Sequence, residues 1–150
     1  MEIDILKIKE IYLKRISLFK DLLNCIDRER DNLINQDING IWSTMEEKQR
    51  ILESLEETNG QIQKIDGREP SYRDIPHEER HSIVELTQTL SDLKEEVKVR
   101  VRENMSFIKE TLDFFHDIIF AFTKAAQVGE SYGPVKNNRK ESSLIYHSEV

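Results

Sequence analysis

The sequence predicts an all-α protein: a long antiparallel helical hairpin, or coiled-coil bundle, with a flexible C-terminal tail. Three observations predict it. Apolar residues recur at three- and four-residue steps through two long stretches, the spacing of a helical seam. Helix breakers are scarce, with five glycines and three prolines in 150 residues. No stretch carries a strand signal, and no repeat of 20–50 residues is present.

The first stretch runs from Glu2 to Asp66 without a proline. Its seam is Ile8, Tyr12, Ile16, Phe19, Leu23, Ile26 and Leu33, then Ile41, Met45, Leu52, Leu55 and Ile62. Between the two halves the steps 33, 37, 41, 45 are all fours, a stutter that unwinds a supercoil locally. Asn39-Gly40 sits there, and the sequence leaves open whether the helix kinks, breaks or continues. Gly67 suits the residue just past a helix end. Residues 68–75, with Pro70 and Tyr72, read as a loop. Pro76 suits the start of a second helix, and Glu78 and Glu79 favour the positive end of its dipole.

The second helix is expected over residues 77–127. Its seam is Ile83, Leu86, Leu90, Leu93, Val97, Val101, Asn104, Ile108, Leu112, Phe115, Ile119 and Phe122. A polar residue in a seam, here Asn104, either fixes register or is simply tolerated, and the sequence leaves both open. Near the end Phe114, Phe115, Ile118, Ile119, Phe120 and Phe122 cover most of the circumference, and such a helix needs a cover. Two long amphipathic helices joined by about ten residues fold back as an antiparallel hairpin. The expected organisation is therefore a hairpin domain over residues 1–127, with helices 2–66 and 77–127, and a tail over 128–150. The tail carries Gly129, Gly133-Pro134 and Asn137-Asn138. Leu144-Ile145-Tyr146 is its one apolar island.

Composition narrows the function. Hydrophobic residues make up 37% and charged residues 34%, enough for a stripe along helices but not for a thick core. The net charge of -7 gives no basic footprint for nucleic acid. No apolar run reaches the length of a membrane span. The N-terminal segment MEIDILKIKEIYLKR lacks the apolar core of a secretory signal. Cys25 is the single cysteine and has apolar neighbours, which reads as an inert buried thiol in a reducing cytoplasm.

Short motifs add little chemistry. His77-Glu78-Glu79-Arg80-His81 matches H-E-x-x-H in form. It opens a charged helix directly after Pro76, so it reads as a solvated first turn rather than a zinc site. Asn104-Met105-Ser106 is a chance sequon in mid-helix. Trp42 reads as packing against the second helix, with a partner contact as the alternative. No phosphate loop, CxxC pair or catalytic triad can be assembled. No enzyme, cofactor or metal is expected.

Two blocks carry a family resemblance. Residues 29–37, ERDNLINQD, resemble the E-x-x-x-L-I-x-x-D signature of the FlgN family of flagellar export chaperones. Residues 47–56, EKQRILESLE, resemble its E-K-x-x-L-L-x-x-L-E block. An amphipathic helix with Asn104 and then Tyr132-Gly133-Pro134 follow in the family's order. The resemblance implies a cytoplasmic chaperone for hook–filament junction proteins of the FlgK/FlgL type. Such a chaperone keeps client helices from associating early and presents them to the export gate. On that reading Phe115, Ile119, Phe122, Leu144, Ile145 and Tyr146 contact the client. Tyr132 and Gly133 serve gate docking or tail positioning. Homodimerisation stays open, and the alternative is a structural coiled coil that binds only itself.

Overall fold

The computed structural model describes residues 4–66, 73 and 75–130, apart from the side chains of 65, 66 and 130. Three helices result: α1 (Ile5–Ile34), α2 (Ile38–Asp66) and α3 (His77–Glu130). The all-α expectation holds. The chain divides into two compact units, Met1–Lys109 and Glu110–Val150.

The predicted first helix breaks, and the break has a local cause. At the end of α1 the Asp37 N–H donates to Asn32 O at 2.9 Å and the Gln36 N–H to Leu33 O at 3.3 Å. These two bonds form a Schellman closure around Gln36, whose φ of 57° is left-handed. That conformation costs a non-glycine residue about 1 kcal/mol, which the closed carbonyls offset. Asp37 then caps α2, its Oδ1 accepting from the Gly40 N–H at 3.0 Å. Gly40 is needed here for space. A Cβ on it would sit 2.5 Å from Asp37 Oδ2 and 2.8 Å from Asn32 Cγ. Thus Asn39 and Gly40 lie inside the first turn of α2, and the break falls at Asn35–Asp37.

The first stretch therefore folds on itself. Arg28 pairs with Glu47, Lys48 with Glu29, and Arg15 with Asn59, so α1 and α2 are antiparallel. Against α1, Lys9 meets Glu79, Arg100 meets Asp27, and Glu103 meets Arg30, so α3 runs parallel to α1. It is hence antiparallel to α2. The expected helix over 2–66, whose continuity the sequence left open, is two helices, and with α3 they make a three-helix arrangement in the first unit. The exposed pairs among them, such as Arg28–Glu47 and Arg30–Glu103, mark direction and add little stability. The hydrogen bond from Arg28 holds the Glu47 carboxyl below the usual range. Its small contribution is present at neutral pH and fades as pH falls through that lowered value.

Two apolar clusters fill the first unit. One joins Ile8, Ile11, Tyr12 and Ile16 of α1 to Ile62 of α2 and to Ile75, Ile83 and Leu90. The other joins Leu22, Cys25 and Ile26 to Ile51 and Leu55, with Val97 of α3 against it. Because α1 faces two neighbours, its buried face is wider than a single seam and takes Leu22 rather than Leu23.

On α2 the buried face is rotated from the predicted one. Thr44, Ile51, Leu55, Thr58 and Ile62 are buried, while Trp42, Met45 and Leu52 are exposed. Threonines can line a core because each hydroxyl donates back to its own helix. Thr44 Oγ1 reaches Ile41 O at 2.9 Å, and Thr58 Oγ1 reaches Leu55 O at 2.6 Å. Trp42, read from sequence as an interhelical contact, is 61% exposed.

Cys25 is 0% exposed, and its thiol donates to Thr44 O at 3.2 Å. Burial first, and then the Glu47 charge, push its pKa up. Little thiolate is therefore present near neutral pH. Alkylation of the native protein by iodoacetamide at pH 7.5 is expected to run at least about a hundredfold slower than in denaturant. Equal rates would show that the α1–α2 core opens freely.

In the second unit, described to residue 130, α3 continues past the predicted end at 127. Val128 and Gly129, expected to open the tail, are helical. A single glycine costs a helix about 1 kcal/mol, less than is needed to end it. The expected tail from residue 131 onward lies outside the described residues.

Candidate functional site

The widest exposed apolar surface among the described residues is in the second unit. Leu112, Phe115, Ile119 and Phe122 follow steps of three, four and three, so they form one stripe along α3. All four are exposed, Phe122 at 74%. Phe114 and Phe120 lie at other angles and broaden the stripe. The Phe114 and Phe115 rings meet edge to face, 6.2 Å between centroids. Lys124 Nζ sits 5.6 Å from the centre of the Phe120 ring. Local pairing of this kind stiffens aromatic side chains without removing them from water. What it can do is take up the apolar stripe of another helix. Of the residues expected to contact a client, Phe115, Ile119 and Phe122 share this stripe. Leu144, Ile145 and Tyr146, with Tyr132 and Gly133, lie outside the described residues.

A polar layer crosses the three helices of the first unit. Asn104 is buried on α3, and its Nδ2 donates to Ile26 O at 3.0 Å and to Glu29 Oε2 at 3.3 Å. The other carboxylate oxygen, Glu29 Oε1, accepts from Lys48 Nζ at 2.6 Å. One residue from each helix thus meets at a single level. Sliding α3 by a turn would strand the buried Asn104 amide, so the layer fixes register. Asn104 is a structural seam residue.

The histidines of the H-E-x-x-H match are exposed at the start of α3, where His81 Nε2 lies 3.2 Å from Glu85 Oε1. Among the described residues, no group of three or more His, Cys, Asp or Glu is placed to hold a metal ion. Among them, too, no helix is long and apolar enough to cross a membrane.

Comparison with known families decides the assignment, because the model of the FlgN protein family matches residues 1–140. The chain belongs to the FlgN family. It is, in general terms, a flagellar export chaperone, whose work is to bind flagellar proteins. No curated protein and no solved structure matches it. The blocks that carry the FlgN resemblance now have a physical meaning. Glu29 opens the first, Lys48 lies in the second, and with Asn104 they make the polar layer. Asp37 closes the first block as the cap of α2. In this chain these residues join the three helices of the first unit. The exposed residues of α2 are what sequence reasoning missed. Met45 and Leu52 stand at seam spacing and read from sequence as core, as do Leu55 and Ile62, which are buried.

Proposed function

We propose that the chain is a cytoplasmic chaperone for the terminal helices of hook–filament junction proteins of the FlgK/FlgL type. It covers the apolar stripe by which those helices later associate, and it presents them to the export gate. The observation that carries this reading is the exposed stripe of Leu112, Phe115, Ile119 and Phe122 on α3. A helical stripe of that size in water is complementary to a client helix that would otherwise self-associate. Leu144, Ile145 and Tyr146 complete the grip from the tail. Tyr132 and Gly133 dock the gate or position the tail. The chain acts without a cofactor.

Calorimetric titration of a FlgK- or FlgL-type client tests it. The intact chain should bind, and a chain that binds only itself would point to a structural coiled coil. Replacing Leu144, Ile145 and Tyr146 together by Ser should weaken binding at least tenfold, about 1.4 kcal/mol. Melting of the helices should not change. Burial of three apolar side chains stabilises by roughly 1.5–3 kcal/mol each. Fixing those side chains and joining two molecules offsets much of it. Unchanged affinity would make the tail a passive linker and leave α3 as the whole site.

A further inference from the structure

The rotation of the buried face of α2 leaves a second apolar stripe on its outside. Ile38, Trp42, Met45 and Leu52 are all exposed large hydrophobics, Ile38 at 67%. Their steps are four, three and seven, and Gln49 divides the last step into four and three. That is a complete seam spacing over two heptads, on a face opposite to Thr44, Ile51, Leu55 and Thr58. Trp42, Met45, Glu46, Gln49 and Arg50 line a shallow depression on this face, wide enough to seat an apolar side chain.

The charges around the stripe select its occupant. Glu46, Glu53, Glu56 and Glu57 are all exposed on this part of α2, against the single cation Arg50. The remaining pair, Glu47 and Lys48, is turned inward to Arg28 and Glu29 of α1. An anionic lipid surface or a nucleic acid would meet like charge here. So would a second copy of the same face packed antiparallel, which sets Glu46 and Glu53 against their own equivalents. A helix with cations beside its apolar stripe meets opposite charge on this rim.

We infer that the outer face of α2, built on Ile38, Trp42, Met45 and Leu52, is a docking surface for a partner protein's amphipathic helix whose apolar stripe is flanked by lysine or arginine. It is separate from the α3 stripe and does not depend on the client reading. A chaperone with two such faces can hold a client on one while the other meets a different protein.

Trp42 is the only tryptophan of the chain, so its emission reports on this face alone. The full chain is titrated with a tryptophan-free amphipathic peptide of about 18 residues, with leucine at the seam and lysine beside it. A second peptide carries glutamate in place of the lysines. The lysine peptide should shift Trp42 emission to the blue and saturate, and the glutamate peptide should need at least about tenfold more. Replacing Glu46, Glu53 and Glu56 together by Lys should reverse that preference, and these exposed sites leave folding intact. The response should persist in the chain with Phe115→Ser, Ile119→Ser and Phe122→Ser, which separates this face from the client stripe. The inference is overturned by an unchanged emission, by equal responses to the two peptides, or by a lysine preference that survives the charge reversal. A blue-shifted emission without peptide that is lost on dilution, with a dimer in sedimentation, would also overturn it by making a second copy the occupant.

Discussion

Replacing Phe115, Ile119 and Phe122 together by Ser is expected to weaken binding of a FlgK- or FlgL-type client at least about a hundredfold, or ~2.8 kcal/mol. The three side chains are exposed in the free chain. Their gain on burial against a client helix is roughly 1.5–3 kcal/mol each. Freezing exposed side chains and joining two molecules takes back much of that sum. These residues sit on a helix already formed in the free chain, so their burial needs no backbone ordering. The same exposure means that the triple substitution should leave the thermal midpoint within about 2 °C. Calorimetry and circular dichroism on one preparation read both quantities. A change in affinity below threefold, with the fold intact, would place client binding elsewhere.

The second large effect concerns stability. Ile26→Ala should destabilise the first unit by about 2–5 kcal/mol. Ile26 is 1% exposed and lies in the cluster that α1 shares with Ile51 and Leu55. Its backbone carbonyl also receives Asn104, so relaxation of α1 to fill the void would disturb the polar layer. The site therefore collapses poorly, which favours the upper part of the range. The thermal midpoint should fall by on the order of 10 °C. Trp42→Ala, a larger truncation at an exposed site, should change stability by no more than ~0.5 kcal/mol. Equal losses from the two substitutions would mean that the outer face of α2 is covered in the native protein.

The contrast between Ile26 and Trp42 shows what could be read from the sequence and what could not. Helical periodicity identified the all-α class, the end of α2 at Asp66 and the start of α3 after Pro76, because those depend on local spacing and local breakers. The stutter marked the region of the first break but not its place. That place rests on Gln36 adopting a left-handed conformation and on Asp37 turning from closing one helix to capping the next, and neither is marked by glycine. The α2 face was misassigned for a different reason. A pattern of apolar residues ranks Trp42, Met45 and Leu52 above Thr44 and Thr58. Yet the threonines satisfy their hydroxyls within the helix and can be buried at small cost. On α3 the broad apolar content from Leu112 to Phe122 was legible as a surface needing a cover. The spacing marks the need for a cover and does not name it.

The parallel course of α1 and α3 also sets an order in time. Arg28 and Glu47, or Lys48 and Glu29, are 19 residues apart along the chain, whereas Arg100 and Asp27 are 73 apart. Closing the longer loop costs about 1 kcal/mol more in chain entropy, since each doubling of length adds ~0.6 kcal/mol. During synthesis α1 and α2 can meet before α3 has left the ribosome. The shorter closure favours α1 meeting α2 first, with α3 joining that pair afterwards.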